Sequence, residues 1–263
     1  MVLERLVTVR EALTNPSWMF IVGGLVSTIS LFIAFIIFPS SVGLMSTFLV
    51  TIAMTPFMVN LLRYEEKMTE LQQDTGELLS VFQRHKKIIK VYIAFFAGMI
   101  LSYSIIYTIL PEQIVETLFE DQINEIKIIR GSFVGGTFTK IVLNNLGVLL
   151  VTYFFSFIFG AGAIFILSWN ASVLSTAIGL SAKALGGFKA LPIAILAYFP
   201  HGSLELLAYF IGGIAGGLAS VAVSKGRPYT LSRIIKDSLI FLMWGVGLIL
   251  IAGVVETISI VIS

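Results

Sequence analysis

His201 and Glu205 stand four residues apart inside an apolar run from about Leu191 to Val223. On a helix that spacing puts both side chains on one face. A histidine and a carboxylate on adjacent turns can hold a divalent cation, relay a proton or act as a base. The surrounding run is too long and too apolar for a soluble core helix, and ionisable groups at membrane depth are costly enough to mark a site by default.

Each chemistry can be weighed against the rest of the chain. Zinc takes three or more protein ligands. The chain has no HExxH and no cysteine, and its only other histidine is His85. His85 falls in the basic run Arg84-His85-Lys86-Lys87, which reads as a solvated face or a lipid-headgroup contact. No metal and no cofactor is therefore expected. No serine sits in a recognisable nucleophile motif, so an intramembrane enzyme ranks third among the readings. The glycine-rich stretch Gly131-Ser132-Phe133-Val134-Gly135-Gly136 lacks the strand that a phosphate loop follows.

Three further polar residues lie in apolar runs: Asn144, Asn145 and Asn170. At a rise of about 1.5 Å per residue, Asn145 and His201 lie roughly 10–17 Å below one membrane face and Asn170 near the midplane. One buried cluster of Asn144, Asn145, Asn170, His201 and Glu205 is expected. As structural glue, each interhelical hydrogen bond contributes roughly 0.6–2 kcal/mol. As an ion or substrate pathway, the cluster would use a break in the helix at Pro200-His201-Gly202. Further along the same helix come Gly212, Gly213, Gly216 and Gly217, small residues that let a neighbouring helix approach closely.

The elements that must position these residues are membrane spans. Of 263 residues, 57% are hydrophobic and 12% charged, and the mean hydropathy is +0.98. Those values place the chain among polytopic membrane proteins. The net charge of +2 is small and argues against a nucleic-acid partner. Residues Glu4 to Glu11 alternate acidic and basic groups and lead into a full-length apolar run, so the first span reads as uncleaved.

The fold expected is an all-α polytopic transmembrane bundle of about seven spans. They run near 18–38, 42–62, 88–110, 138–159, 162–180, 191–223 and 237–257, with Gly160-Ala161-Gly162 dividing the fourth from the fifth. Residues 1–87 form an N-terminal hairpin plus a charged amphipathic surface segment, and 88–263 a five-helix body. Pro111 to Arg130 and Ser224 to Lys236 read as loops, the first acidic and the second basic. With the N-terminus cytoplasmic and the C-terminus outside, most of the 17 lysines and arginines fall inside. Only Lys127, Arg130, Lys140, Lys183 and Lys189 are left outside.

Three motifs resemble the stage II sporulation protein M family: Asn144-Asn145-Leu146, then Gly160-Ala161-Gly162 with Asn170, then Pro200-His201-Gly202-Ser203-Leu204-Glu205-Leu206. The resemblance covers roughly 88–240. It departs at Ala171, where the pattern has glycine, and the hairpin 1–62 looks additional. It implies an integral membrane protein. The family's founding member is similar to a scaffold that holds cell-wall hydrolases at a remodelling septum and is not itself a hydrolase.

The expected function is a non-enzymatic scaffold or assembly component of the cell membrane that positions envelope-remodelling partners. The alternative is a transport or channel-like protein with a His/Glu/Asn polar path. The expected partners are the lipid bilayer and proteins that the sequence does not identify, with a homo-oligomer compatible.

Overall fold

Helix ends fall where the sequence interrupts its apolar runs with turn residues. In the computed structural model of the chain, residues 7–71, 78–132, 137–160, 162–225 and 228–262 are described. Ala161 and most of the glycine-rich stretch 131–136 lie outside them. Every regular element among the described residues is helical.

A short α1, Val9–Thr14, opens on a capping box in which the Glu11 carboxylate accepts from the Thr8 N–H at 2.8 Å. The Thr8 backbone and hydroxyl hydrogen bonds hold the Glu11 carboxyl below the usual carboxylate range. Next come α2, Ser17–Ile37, and α3, Val42–Leu71, joined through Pro39-Ser40-Ser41. Helices α4, Leu78–Ile109, and α5, Glu112–Ser132, follow. The body then comprises α6, Thr137–Phe159; α7, Ala163–Ala184; a 3-10 turn, Gly187–Ala190; α8, Leu191–Lys225; and α9, Pro228–Ile262.

Seven of these helices are long and apolar enough to cross a membrane, over 17–37, 42–65, 85–109, 138–159, 163–184, 187–223 and 234–259. The chain is an all-α polytopic bundle, integral to the membrane. The long apolar tract does divide at Gly160, whose φ of +69° is open to glycine at little steric cost.

Three connections differ from expectation. The charged stretch 63–90 is not a separate surface helix. Instead α3 runs on to Leu71 and α4 starts at Leu78, because Leu61, Leu62, Glu65, His85, Ile88 and Ile89 stay buried at the bundle's end. The side chains of Leu71, Leu78, Leu79 and Phe82 in this stretch lie outside the described part.

The acidic stretch 111–130 is a helix, α5, kinked at Phe119 (φ −122°, ψ 19°). It is anchored from within, since the Leu44 N–H donates to Asp121 Oδ2 at 2.9 Å and Gln122 Nε2 donates to Ser172 Oγ at 3.1 Å. Asp121 thereby satisfies an orphan N–H in the first turn of α3. Lastly, the basic loop after α8 is short: α8 continues to Lys225 and α9 begins at Pro228.

One hydrophobic core joins the hairpin to the body, from Met19 and Leu31 in α2 through Phe95 and Phe96 in α4 to Ile211 in α8 and Phe241 in α9. The tightest seam is between α2 and α4, where the Cα of Gly23 faces the Phe95 carbonyl and that of Gly98 faces the Phe20 carbonyl. Neither backbone could come so close to a larger residue. Helix α8 occupies the centre, packing on α9, α6, α7, α3 and α4. At about 1.5 Å per residue it is roughly 50 Å long, enough to cross the hydrocarbon core and project beyond it.

Candidate functional site

The expected break at Pro200-His201-Gly202 does not occur, and α8 stays helical from Leu191 to Lys225. A proline inside a helix forfeits one N–H donor but need not part the chain when neighbouring helices hold both halves. His201 and Glu205 thus remain on adjacent turns of one rod. Both face a cavity of about 190 Å³ bounded by α5, α6, α7, α8 and α9. Its polar lining is Asn144, Asn145, Asn170, Tyr198, His201, Glu205, Tyr209 and Glu256; Ile126, Ile129, Ile141 and Leu174 are among the apolar remainder.

The cluster's centre is Asn145, which is 7% exposed. Its Nδ2 donates to Glu205 Oε1 at 2.6 Å, and its Oδ1 accepts from the Tyr209 hydroxyl at 2.9 Å. The Asn144 amide donates to the same oxygen at 3.3 Å from the exposed side. Glu256 of α9 lines the same cavity as Glu205. Asn145 therefore ties α6 to α8, and Glu256 brings α9 to the same cavity.

The other two expected members are placed differently. Asn170 lines the cavity, but its Nδ2 donates to the Ile166 carbonyl of its own helix at 2.8 Å. His201 is half-buried beside Tyr198, with ring centroids 5.8 Å apart, and its buried Nδ1 has no hydrogen-bond partner. The Glu205 carboxyl is engaged by Asn145.

Sequence reasoning missed Glu256 and Tyr209. Glu256 interrupts an apolar run at Val254-Val255-Glu256-Thr257-Ile258, the same signal that drew notice to Glu205. Tyr209 lies four residues beyond Glu205, hence on its face.

Beyond Tyr209 the rod is closed off. Residues 208–219 of α8 are all buried. Gly216 lies against the Tyr153 carbonyl and Phe157 N of α6, Gly212 against Leu149, Gly213 against Ala163, and Gly217 against Leu62 of α3. The Ser156 hydroxyl lies 2.6 Å from the Gly213 carbonyl within that seam.

A second polar cluster sits at the opposite end of the bundle, where a solvated His85 was expected. His85 is 1% exposed. Its Nδ1 is 3.0 Å from Glu65 Oε1 of α3, its Nε2 is 3.7 Å from Asp237 Oδ2 of α9, and its ring is 5.2 Å from that of Phe241. The reason is the continuation of α3 and α4 past their most apolar stretches, which carries Glu65 and His85 inward.

No arrangement of three or more metal-ligating His, Cys, Asp or Glu side chains occurs among the described residues.

No curated protein and no solved structure matches the chain. The profile of the family described as stage II sporulation protein M matches residues 44–259. That match is longer than the 88–240 suggested by the motifs, and it takes in most of α3, so the additional part is smaller than the hairpin 1–62. With the match extending over most of its length, the chain belongs to the stage II sporulation protein M family.

Proposed function

We propose that this protein is a non-enzymatic scaffold of the cell membrane, a rigid bundle that positions envelope-remodelling partners. The observation that carries the reading is the continuity of α8. It is unbroken at Pro200, tied to α6 through Asn145–Glu205, and sealed against α6 below Tyr209. A carrier of the discontinuous-helix type unwinds its central helix at the binding site. Here α8 stays helical through the site, and Asn145 ties Glu205 to Tyr209.

The orientation proposed with it has the His85 end cytoplasmic, with Lys67, Lys86, Lys87, Lys90 and Lys236 beside it. The polar cavity, α5 and the C-terminus then face outward. Self-association is compatible with this arrangement, because α2 shows a wide apolar face that includes Leu25, Ile29, Phe32 and Ile36.

The test is flux. Purified protein in liposomes should pass no more protons, sodium or potassium than empty liposomes do. Flux that disappears in Glu205→Gln while the variant stays folded would replace the scaffold by a transporter.

A further inference from the structure

Glu205 and Glu256 come from different helices and line one cavity. Two carboxyl groups sharing one small cavity repel unless a proton or a cation lies between them. The rest of the lining offers acceptors: the asparagine carbonyls of Asn144 and Asn170, the unpartnered Nδ1 of His201 and the Tyr198 hydroxyl. Among the described residues, no lysine or arginine lines the cavity.

Its volume of about 190 Å³ would hold roughly six waters, far more space than a bare metal ion fills. The described residues also lack a three-ligand cluster for such an ion. Helix α5, whose Ile126 and Ile129 form part of the wall, carries Glu112, Glu116, Glu120, Asp121 and Glu125 against Lys127 and Arg130. A net negative helix beside a cavity raises the local concentration of cations.

We propose that this cavity binds a primary ammonium group, held between Glu205 and Glu256, with its N–H donors shared among the carboxyl, asparagine and histidine acceptors. The proposal rests on the scaffold reading and deepens it by giving the cavity an occupant. Two sources supply that chemistry: a small free amine, or the headgroup of an aminolipid.

The protein would be placed in nanodiscs of phosphatidylcholine and phosphatidylglycerol, and its thermal midpoint followed as ethanolamine is added. The expected result is a saturable rise that tetramethylammonium and sodium do not reproduce, since neither donates an N–H. No rise with ethanolamine, or equal rises with all three cations, overturns the proposal. Glu256→Gln keeps the shape of the site and should weaken ethanolamine roughly tenfold or more. Unchanged affinity in a folded variant also overturns it. If the variant does not fold, the cation selectivity of the wild-type chain decides.

Nanodiscs containing phosphatidylethanolamine identify the source. A raised midpoint and a blunted ethanolamine response assign the site to a headgroup, and an unaltered midpoint assigns it to a free amine. Ethanolamine uptake into liposomes would overturn the scaffold and leave the ammonium site standing. Absent binding would remove the site and leave the scaffold.

Discussion

Asn145 and Glu205 are joined by a 2.6 Å hydrogen bond between α6 and α8. Since Asn145 also accepts from Tyr209, its amide is used as donor and acceptor at once. In a medium without water, such a side chain fixes the relative rotation of two helices. The Gly216 seam fixes their separation, as the Gly23 seam fixes that of α2 and α4.

The glycine seam is sensitive to size. Gly216 faces the Tyr153 carbonyl and Phe157 N with no room for a side chain. Gly216→Leu should lower stability by about 1–3 kcal/mol or more. The readout is thermal unfolding in detergent. An unchanged midpoint would mean that α6 and α8 are farther apart than described.

The His85 cluster is sensitive to charge. Replacing the imidazole with a methyl group leaves Glu65 and Asp237 facing each other across a gap at the buried end of the bundle. His85→Ala should destabilise by about 3 kcal/mol, within the range seen for breaking buried pairs. His85→Gln, which keeps a donor, should lose less. Equal losses in chemical unfolding would assign the effect to packing against Phe241 alone.

The proposed orientation yields a labelling pattern. The chain has no cysteine, so single cysteines report without background. Lys67, Glu116 and Ser259 are exposed and suit the purpose, whereas Gln122 is buried and does not. An impermeant thiol reagent on intact cells should label Glu116→Cys and Ser259→Cys and spare Lys67→Cys. Labelling of Lys67→Cys alone would invert the topology.

The spans were legible because apolar length and composition are local properties, and Gly160 marks the division of the longest tract by its backbone alone. The ends of the bundle were harder to read. Residues 63–90 and 111–130 carry enough charge to look like surface, yet Glu65, His85 and Gln122 are buried by partners more than 19 residues away in sequence. Such burial depends on which helices meet, and no local period encodes that.

The candidate site divides in the same way. Asn145, His201 and Glu205 announce themselves as polar interruptions of apolar runs, and the cavity does bring them to one wall. Which group pairs with which was not legible. Spacing on α8 suggested His201 with Glu205, whereas the carboxyl turns to Asn145 on α6. Pro200 misled for a related reason: its cost to a lone helix is offset by packing on both sides, and the helix persists.

The most direct test of the bundle as a structure held by buried interhelical polar contacts is a double-mutant cycle on Asn145 and Glu205. Asn145→Ala and Glu205→Ala are made singly and together, and unfolding free energies are measured in detergent. The structure predicts that each single change destabilises by stranding a buried polar partner. It also predicts that the double variant loses less than the sum, with a coupling of about 1 kcal/mol or more. Strictly additive losses would mean that water already satisfies both groups, and would contradict the account.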